Sequence, residues 1–385
     1  MSAIVPEIVS CAQGSRYNYH HQFGDIQPLV DDLRRMLLEG HYVLSAEVQE
    51  FESAFARYCG CRHARGVNSG TDALVIAMRA LGIGRGDSVV TQANTFHATV
   101  AAIELAGAKP VLVDAKDETF SFDVDQLASR AGGDIRAVIP VHLFGKPAPL
   151  RQILDIAGAH GMLVIEDAAQ AHGASISGQR VGSFGTAGCF SFHPSKNLGA
   201  AGDAGAIVTN DSVFADRIEQ YRSLGQREQN EHLVVGLNSK LDALQARILG
   251  WKLPQLDRWN RARRTVAGWY RSALASVPVS FQAEAKDEVH VYHLFQIRTA
   301  CRDQLLKFLR GKGIDAVVRY PTPTHLQPAF QKWGWREGEF PVAESLAREL
   351  LCLPIRPDMD EGEVDFISSK VRAFFDERFR QQNGV

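Results

Sequence analysis

The sequence predicts an α/β chain: a large domain on a mostly parallel mixed sheet, then a smaller C-terminal α+β domain. Three observations carry this expectation. Short apolar runs alternate with stretches of helical periodicity through the first half, a pattern that builds parallel sheets covered on both faces. A chain of 385 residues is too long for one small core. The alternation also changes character after Cys189.

Leu29, Leu33, Met36 and Leu37 recur at helical spacing, as do Val48, Phe51, Phe55 and Tyr58 behind the N-cap candidate Ser45. A third helix starts at Ser69-Gly70-Thr71-Asp72 and carries Leu74, Met78 and Leu81 on one face. Ser88–Thr91, Pro110–Val113, Ala137–Leu143 and Met162–Ile165 read as strands, interleaved with helical segments such as Thr95–Ala106 and Leu150–His160. Cys189–Phe192 and Ala206–Thr209 read as strands joined by a glycine-rich loop. A long helical region then runs from Asp242 to about Ala275, with Pro254 as its break. Strands Tyr292–Arg298 and Ala316–Arg319 alternate with helices Arg302–Lys312 and Val364–Phe375. The division falls near Pro254, giving a large domain over 1–250, with its N-terminal helices, and a smaller one over 251–385.

A formal net charge of -2 leaves no electrostatic footprint for nucleic acid or an anionic membrane. Cys11, Cys59, Cys61, Cys189, Cys301 and Cys352 show neither a C-x-x-C pair nor a zinc spacing. No metal is expected, and reduced thiols fit a cytoplasmic enzyme. Met1 to His20 lacks a basic region followed by an apolar run, so no secretory signal is expected. The most apolar stretch, Ala98 to Val113, is interrupted by Glu104 and Lys109 and reads as no membrane span.

Five segments can carry chemistry, each with a plainer reading beside it. Asn68-Ser69-Gly70-Thr71-Asp72 sits where a strand feeds a helix, and free amides there bind phosphate; a bare helix cap looks the same. Glu166-Asp167 ends an apolar strand, where ligands of open α/β sheets gather, though acids at strand ends also serve as caps. Gln170 and His172 follow at offsets that reach a bound ring or satisfy a buried turn, and His172 reads as structural. Phe96 follows a strand and can stack on a planar heterocycle or fill core. Lys196, about thirty positions after Asp167, lies in a loop beside the strand Cys189–Phe192, either as a surface lysine or as a buried amine of depressed pKa. An amine and a carboxylate at one sheet edge are what a pyridoxal phosphate site requires: the amine for the Schiff base, the carboxylate to hold the pyridine nitrogen protonated.

The ordered blocks Ser-Gly-Thr-Asp-Ala (69–73), Thr-Phe-His-Ala-Thr (95–99), Glu-Asp-Ala-Ala-Gln-Ala-His-Gly-Ala (166–174), Ser-Phe-His-Pro-Ser-Lys-Asn-Leu-Gly (191–199) and Gly-Leu-Asn-Ser-Lys-Leu-Asp-Ala-Leu-Gln-Ala (236–246) resemble the DegT/StrS family of sugar aminotransferases. These are fold-type I enzymes dependent on pyridoxal 5'-phosphate. The resemblance runs from Phe23 to Leu353-Pro354. It implies that Lys196 forms the Schiff base, Asp167 pairs with the pyridinium nitrogen and Gln170 contacts the ring hydroxyl. Phe96 then lies on the ring face, while Gly70, Thr71 and Ser191 hold the phosphate. Asn238 reaches the phosphate of a neighbouring subunit, implying a homodimer with shared active sites, and His325 lies near the sugar. Ala204 stands where a glycine is common and Lys240 where arginine is frequent, departures that bear on substrate fit.

The resemblance also implies a two-stage transfer from L-glutamate to a nucleotide-linked keto sugar, with the C-3 ketone favoured over C-4 from the segment around Asn238. A cyclitol ketone is the alternative acceptor. A deoxysugar dehydratase would carry histidine in place of Lys196, and a desulfurase would need a reactive cysteine on a mobile loop. A non-catalytic regulatory relative would be expected to lack Lys196 or Asp167, and both are present.

Overall fold

The computed structural model describes residues 14–383, so Cys11 lies outside the described residues. Seven strands form the central sheet: β1 (His63–Val67), β2 (Ser88–Gln92), β3 (Lys109–Val113), β4 (Ile135–Ile139), β5 (Leu163–Asp167), β6 (Ala187–Ser191) and β7 (Gly205–Thr209). Their spatial order is β1-β7-β6-β5-β4-β2-β3. Only β7 runs against its neighbours, pairing antiparallel with β1 and β6. The remaining pairs are parallel.

Side chains alternate between two apolar layers, as a twofold strand period requires. Val164 of β5 packs with Val90, Val138 and Ile153 on one face, whereas Ile165 joins Ala73, Ile76 and Ile103 on the other. Helices α3 (Gly70–Ala80), α4 (His97–Ala106) and α7 (Ser212–Arg222) contribute to the second layer. On the first face lie α5 (Val124–Arg130) and α6 (Leu150–Ala159). Helices α1 (Gln27–Glu39), α2 (Ala46–Cys59) and α8 (Ala243–Lys252) extend that coverage through Met36, Phe51, Phe55 and Leu249 against Phe190 and Phe192. Ser45 stands at the N-cap of α2, but its hydroxyl donates to Glu47 Oε2 rather than accepting a backbone N–H.

Pro254 breaks the long helical region as expected: a 3-10 turn, Leu253–Gln255, separates α8 from α9 (Leu256–Ala273). A separate antiparallel sheet follows, formed by β8 (Ser280–Phe281), β9 (Phe295–Arg298) and β10 (Leu350–Leu353). It packs with α9, α10 (Arg302–Gly311) and α12 (Glu361–Asn383) through Val266, Tyr270, Phe295, Leu305, Leu309 and Ile367.

Two strand expectations are shortened here. Strand β9 starts at Phe295 rather than Tyr292, because Tyr292 takes a positive φ of 44° that no strand accommodates. Ala316–Arg319 makes only one bridge, Val317 to Cys352, since Pro321 and Pro323 offer no N–H to continue the ladder. Helix α11 (Pro341–Glu349) and the preceding turn lay Phe330, Phe340 and Ala343 against Ala93, Val100 and Leu112 of the sheet domain, next to the carboxyl ends of the strands. Among the described residues no helix is long and apolar enough to cross a membrane.

Candidate active site

A cavity of about 370 Å³ opens at the carboxyl ends of the parallel strands. It collects Gly70, Thr71, Phe96, Asp167, Gln170, Ser191 and Lys196, seven of the nine residues singled out from sequence.

Strand β5 divides its two acids between faces. Glu166 turns away from the cavity, fully buried, and accepts the N–H groups of Gly182 (2.6 Å), Phe184 (2.8 Å) and Gly185 (2.8 Å). Its fourth contact is His142 Nε2 at 3.1 Å. Because His142 Nδ1 accepts from Ala148 N, the ring hydrogen sits on Nε2 and is donated to Glu166. Asp167, one residue on, faces the cavity at 6% exposure. Its main-chain N–H donates to Pro140 O, and its C=O accepts from His142 N, which brace the strand end. Its Oδ2 accepts from Thr99 (2.8 Å) and its Oδ1 from Ala169 N (3.2 Å). Burial pushes the carboxyl pKa above the ordinary range, and the Thr99 and Ala169 hydrogen bonds and the nearby Lys196 only partly oppose it. Among the described residues no cation pairs with Asp167 within ion-pair distance.

Lys196 enters from the β6–β7 loop. Asn197 pins that loop, donating to Asn260 Oδ1 and to Val291 O, each at 2.9 Å, while Asn260 donates to His172 O at 2.7 Å. Lys252 adds a hydrogen bond to Gly199 O at 2.8 Å. Loss of water around the Lys196 ammonium lowers its pKa to about 8, with Asp167 opposing and Arg319 reinforcing the shift. The amine is therefore far more available near neutrality than an exposed lysine.

Ser69 caps α3 by accepting from Asp72 N at 3.0 Å. Gly70 and Thr71 then line the cavity at the start of the helix, its positive end. Gly70 has a steric reason as well: a Cβ there would stand 2.7 Å from Ser191 Cβ. Phe96, 39% exposed, has its ring centroid 5.2 Å from that of Tyr320. Gln170 accepts from Phe144 N (2.8 Å) and donates one Nε2 hydrogen to Tyr320 Oη (2.9 Å), leaving one hydrogen over.

Two residues do not reach this cavity. Asn238 is exposed on the segment that pairs with Ser223, and its C=O accepts from Asn68 Nδ2. His325 is buried beside Glu344, 3.1 Å from Oε1, and stacks edgewise on Phe340. His172 is buried between Phe190 and Phe192, its pKa lowered to about 3 by burial. Residues not singled out from sequence also line the cavity: Arg16, Tyr17, Arg263, His293, Arg319 and Tyr320. Arg263 lies in a run of arginines on α9 that reads as a solvated face, and the others lack a local motif.

The donor set suits pyridoxal phosphate: a buried carboxylate without a cation, an amine held near neutrality, an aromatic face and an anion-binding helix end around one cavity. Among the described residues no group of three or more His, Cys, Asp or Glu could hold a metal ion.

The profile of the DegT/DnrJ/EryC1/StrS aminotransferase family matches residues 26–372. A "Pleiotropic regulatory protein" of Geobacillus stearothermophilus is 42% identical over 91% of this chain and 94% of its own. A "dTDP-3-amino-3,4,6-trideoxy-alpha-D-glucose transaminase" of Streptomyces venezuelae is 41% identical over 91% of this chain and 95% of its own. The crystal structure of S. venezuelae DesV in complex with a ketimine intermediate superposes with a TM-score of 0.91 at 39% identity, covering 94% of this chain and 98% of that one. With a fold-type I architecture and a family match across most of its length, the chain belongs to the DegT/DnrJ/EryC1/StrS aminotransferase family.

Proposed function

We propose that this chain is a cytoplasmic, pyridoxal-phosphate-dependent aminotransferase that moves the amino group of L-glutamate onto the C-3 ketone of a nucleotide-linked deoxysugar. The observation that carries the chemistry is the convergence of Lys196 and Asp167 on one cavity with the start of α3. The 3-amino sugar in the name of the Streptomyces relative supports the acceptor and its C-3 position.

The cofactor supplies an electrophilic carbon and an electron sink. Gly70 and Thr71 offer their N–H groups and Ser191 its hydroxyl to the phosphate. Asp167 would hold a proton on the ring nitrogen, and that positive charge would relieve the cost of burying its carboxylate. Phe96 would cover the ring face, and Gln170 would give its remaining amide hydrogen to the ring hydroxyl. Lys196 would hold the cofactor at rest, and its Nζ would take the proton from the donor's α-carbon and in the second stage deliver one to the sugar C-3. Release of 2-oxoglutarate before the sugar enters gives ping-pong kinetics.

Asn238 serves the phosphate of a second copy in a homodimer. Its exposure, and the exposed Leu224, Leu233 and Val235 around it, support a face that a partner covers. The division into domains 1–250 and 251–385 is supported by the separate apolar cluster from Val266 to Phe375.

A regulatory role is the second reading, suggested by the name of the Geobacillus relative. Lys196 and Asp167 in one cavity weigh against it. The test is 2-oxoglutarate release from L-glutamate across nucleotide-linked 3-keto sugars, 4-keto sugars and a keto-inositol. Turnover of 3-keto sugars supports the proposal. Preference for a 4-keto sugar or the cyclitol overturns the acceptor, and turnover of none favours the regulatory reading.

A further inference from the structure

The loop that carries Lys196 is held from one corner of the molecule, the junction of α8 and α9. Gln245 Oε1 accepts from Ala201 N at 2.8 Å, and Asn260 Oδ1 accepts from Asn197 at 2.9 Å. Between these anchors lies Lys252, the last residue of α8, only 2% exposed. Its Nζ donates to Gly199 O (2.8 Å) and to Gln22 Oε1 (3.1 Å) and stands 4.3 Å from the ring centroid of Phe23. Two hydrogens are thus spent on oxygens, and an aromatic face covers the ammonium beside them. Among the described residues no carboxylate lies within ion-pair distance of it, and loss of water lowers its pKa to about 8. A buried lysine without a counter-ion is costly, and an apolar side chain of similar volume would fill the space for less.

The cost falls at one particular carbonyl. Over 192–200 the chain turns back on itself: Lys196 N donates to His193 O and Ala200 N to Phe192 O, each at 2.8 Å. Gly199 closes this turn, and a Cβ there would stand 2.6 Å from Pro194 O, so no side chain can brace the closure from within. Among the described residues the hydrogen bond to Gly199 O comes from Lys252 alone. Gly199 lies three residues beyond Lys196 inside the same closed turn, so the placement of its carbonyl sets where Lys196 leaves the chain. The two lysines do not meet through charge. Burial, Asp167 and Arg319 set the ionisation of Lys196, and Lys252 stands outside the cavity wall.

We propose that Lys252 is a positioning residue for Lys196: its hold on Gly199 O keeps the 192–200 turn in the form that delivers the Lys196 amine into the cavity beside Asp167. This rests on the reading of Lys196 as the amine that links the cofactor. A charged donor makes this bond stronger than a neutral one would. The contacts to Gln22 and Phe23 keep the ammonium in line, so the N-terminal segment that places Arg16 and Tyr17 on the cavity wall also steadies the lysine loop. Displacing a reacting atom by about 1 Å costs on the order of 100-fold in rate, so a cation outside the cavity can govern the chemistry inside it.

The test separates capture of the cofactor from its binding. Pyridoxamine phosphate carries no aldehyde and reports on the cavity alone, whereas pyridoxal phosphate must also meet Lys196. Both are titrated into full-length apoenzyme carrying Lys252→Met or Lys252→Arg. In Lys252→Met the Kd for pyridoxamine phosphate stays within about threefold of native. Covalent capture of pyridoxal phosphate slows by roughly tenfold or more, with its pH midpoint unmoved. Lys252→Arg, which keeps a cation and N–H donors, recovers part of that rate. Equal losses of binding and capture would mark a merely structural residue and overturn the proposal, as would a capture rate within about threefold of native. If Lys252→Met does not fold, Gln22→Leu takes its place: it removes one acceptor of the ammonium and slows capture about threefold with pyridoxamine phosphate binding unchanged, and an unaltered rate overturns the proposal. If the native apoenzyme captures no pyridoxal phosphate, the aminotransferase reading fails instead. Amide hydrogen exchange over 193–200 then decides whether Lys252 holds the turn: protection lost in Lys252→Met supports it, and equal protection overturns it.

Discussion

Thr99 donates its hydroxyl hydrogen to Asp167 Oδ2 over 2.8 Å. Its own oxygen lies 2.8 Å from Thr95 Oγ1, and since the Thr99 hydrogen is spent on Asp167, Thr95 is the donor of that second bond. Thr95, just before α4, and Thr99 in its first turn thus deliver two hydroxyls in series to a buried carboxylate, favouring its ionised form where burial opposes it.

Thr99→Val keeps the volume and removes the relay. The Asp167 pKa rises further and its hold on a protonated pyridine nitrogen weakens. Affinity for pyridoxal phosphate is expected to fall about tenfold, the value of one hydrogen bond to a charged group. Fluorescence titration of the apoenzyme measures it, and unchanged affinity would leave the relay without a role.

The floor of the cavity has its own steric test. Gly70→Ala drives a Cβ to 2.7 Å from Ser191 Cβ, so the start of α3 or the end of β6 must shift. Cofactor affinity should drop at least tenfold, with overpacking costing about 1–3 kcal/mol. Ser191→Gly removes the clashing atom along with the phosphate-facing hydroxyl, so the double variant Gly70→Ala/Ser191→Gly should lose less affinity than the two single losses summed. A double variant no better than the sum of the singles argues against this contact.

Glu166 makes a different prediction from the residue beside it. Glu166→Gln turns an acceptor of three backbone N–H groups and His142 into an amide that presents its own N–H hydrogens to donors. The expected loss is about 3 kcal/mol of stability in denaturant unfolding, with little change in turnover per folded enzyme. Equal stability would show that the 182–185 loop rests on other contacts.

Much of this site was legible in the sequence because its parts sit where strand meets loop. Asp167 and Gly70 follow from reading strand ends, Lys196 from its loop beside β6, and Ser191 from the family resemblance alone. Arg16, Arg263 and Arg319 were hidden for a physical reason. Each comes from a different part of the chain, and a single arginine in a charged helix or near a terminus looks like surface. The strand expected over Ala316–Arg319 likewise depended on a ladder that the prolines after it cut short. His325 was placed near the sugar by the family resemblance alone, and it lies buried beside Glu344.

Lys196 sets a pH signature. An exposed lysine ionises at its ordinary value of 10.5, whereas burial lowers Lys196 to about 8. Covalent capture of pyridoxal phosphate by the apoenzyme should climb through pH 7 and level off above about 8. Asp167→Asn removes the carboxylate that raises this pKa, so its midpoint moves lower, and Arg319→Gln moves it higher. The stability sign follows: between about 8 and 10.5 the unfolded chain binds more protons, so the charged Lys196 costs stability below that window and the cost fades as pH rises through it. Lys196→Met should therefore raise the melting temperature of the apoenzyme at pH 7 and do so less at pH 10. A capture midpoint near 10.5 would contradict the burial of this amine.

The most direct measurement is borohydride reduction of the holoenzyme followed by peptide mass mapping. The pyridoxyl group is expected on Lys196 alone; a sample first treated with L-glutamate should lose its yellow absorption and escape labelling, and Lys196→Ala should show neither absorption nor label. A pyridoxyl group on another lysine, or full retention of the native spectrum in Lys196→Ala, would contradict it.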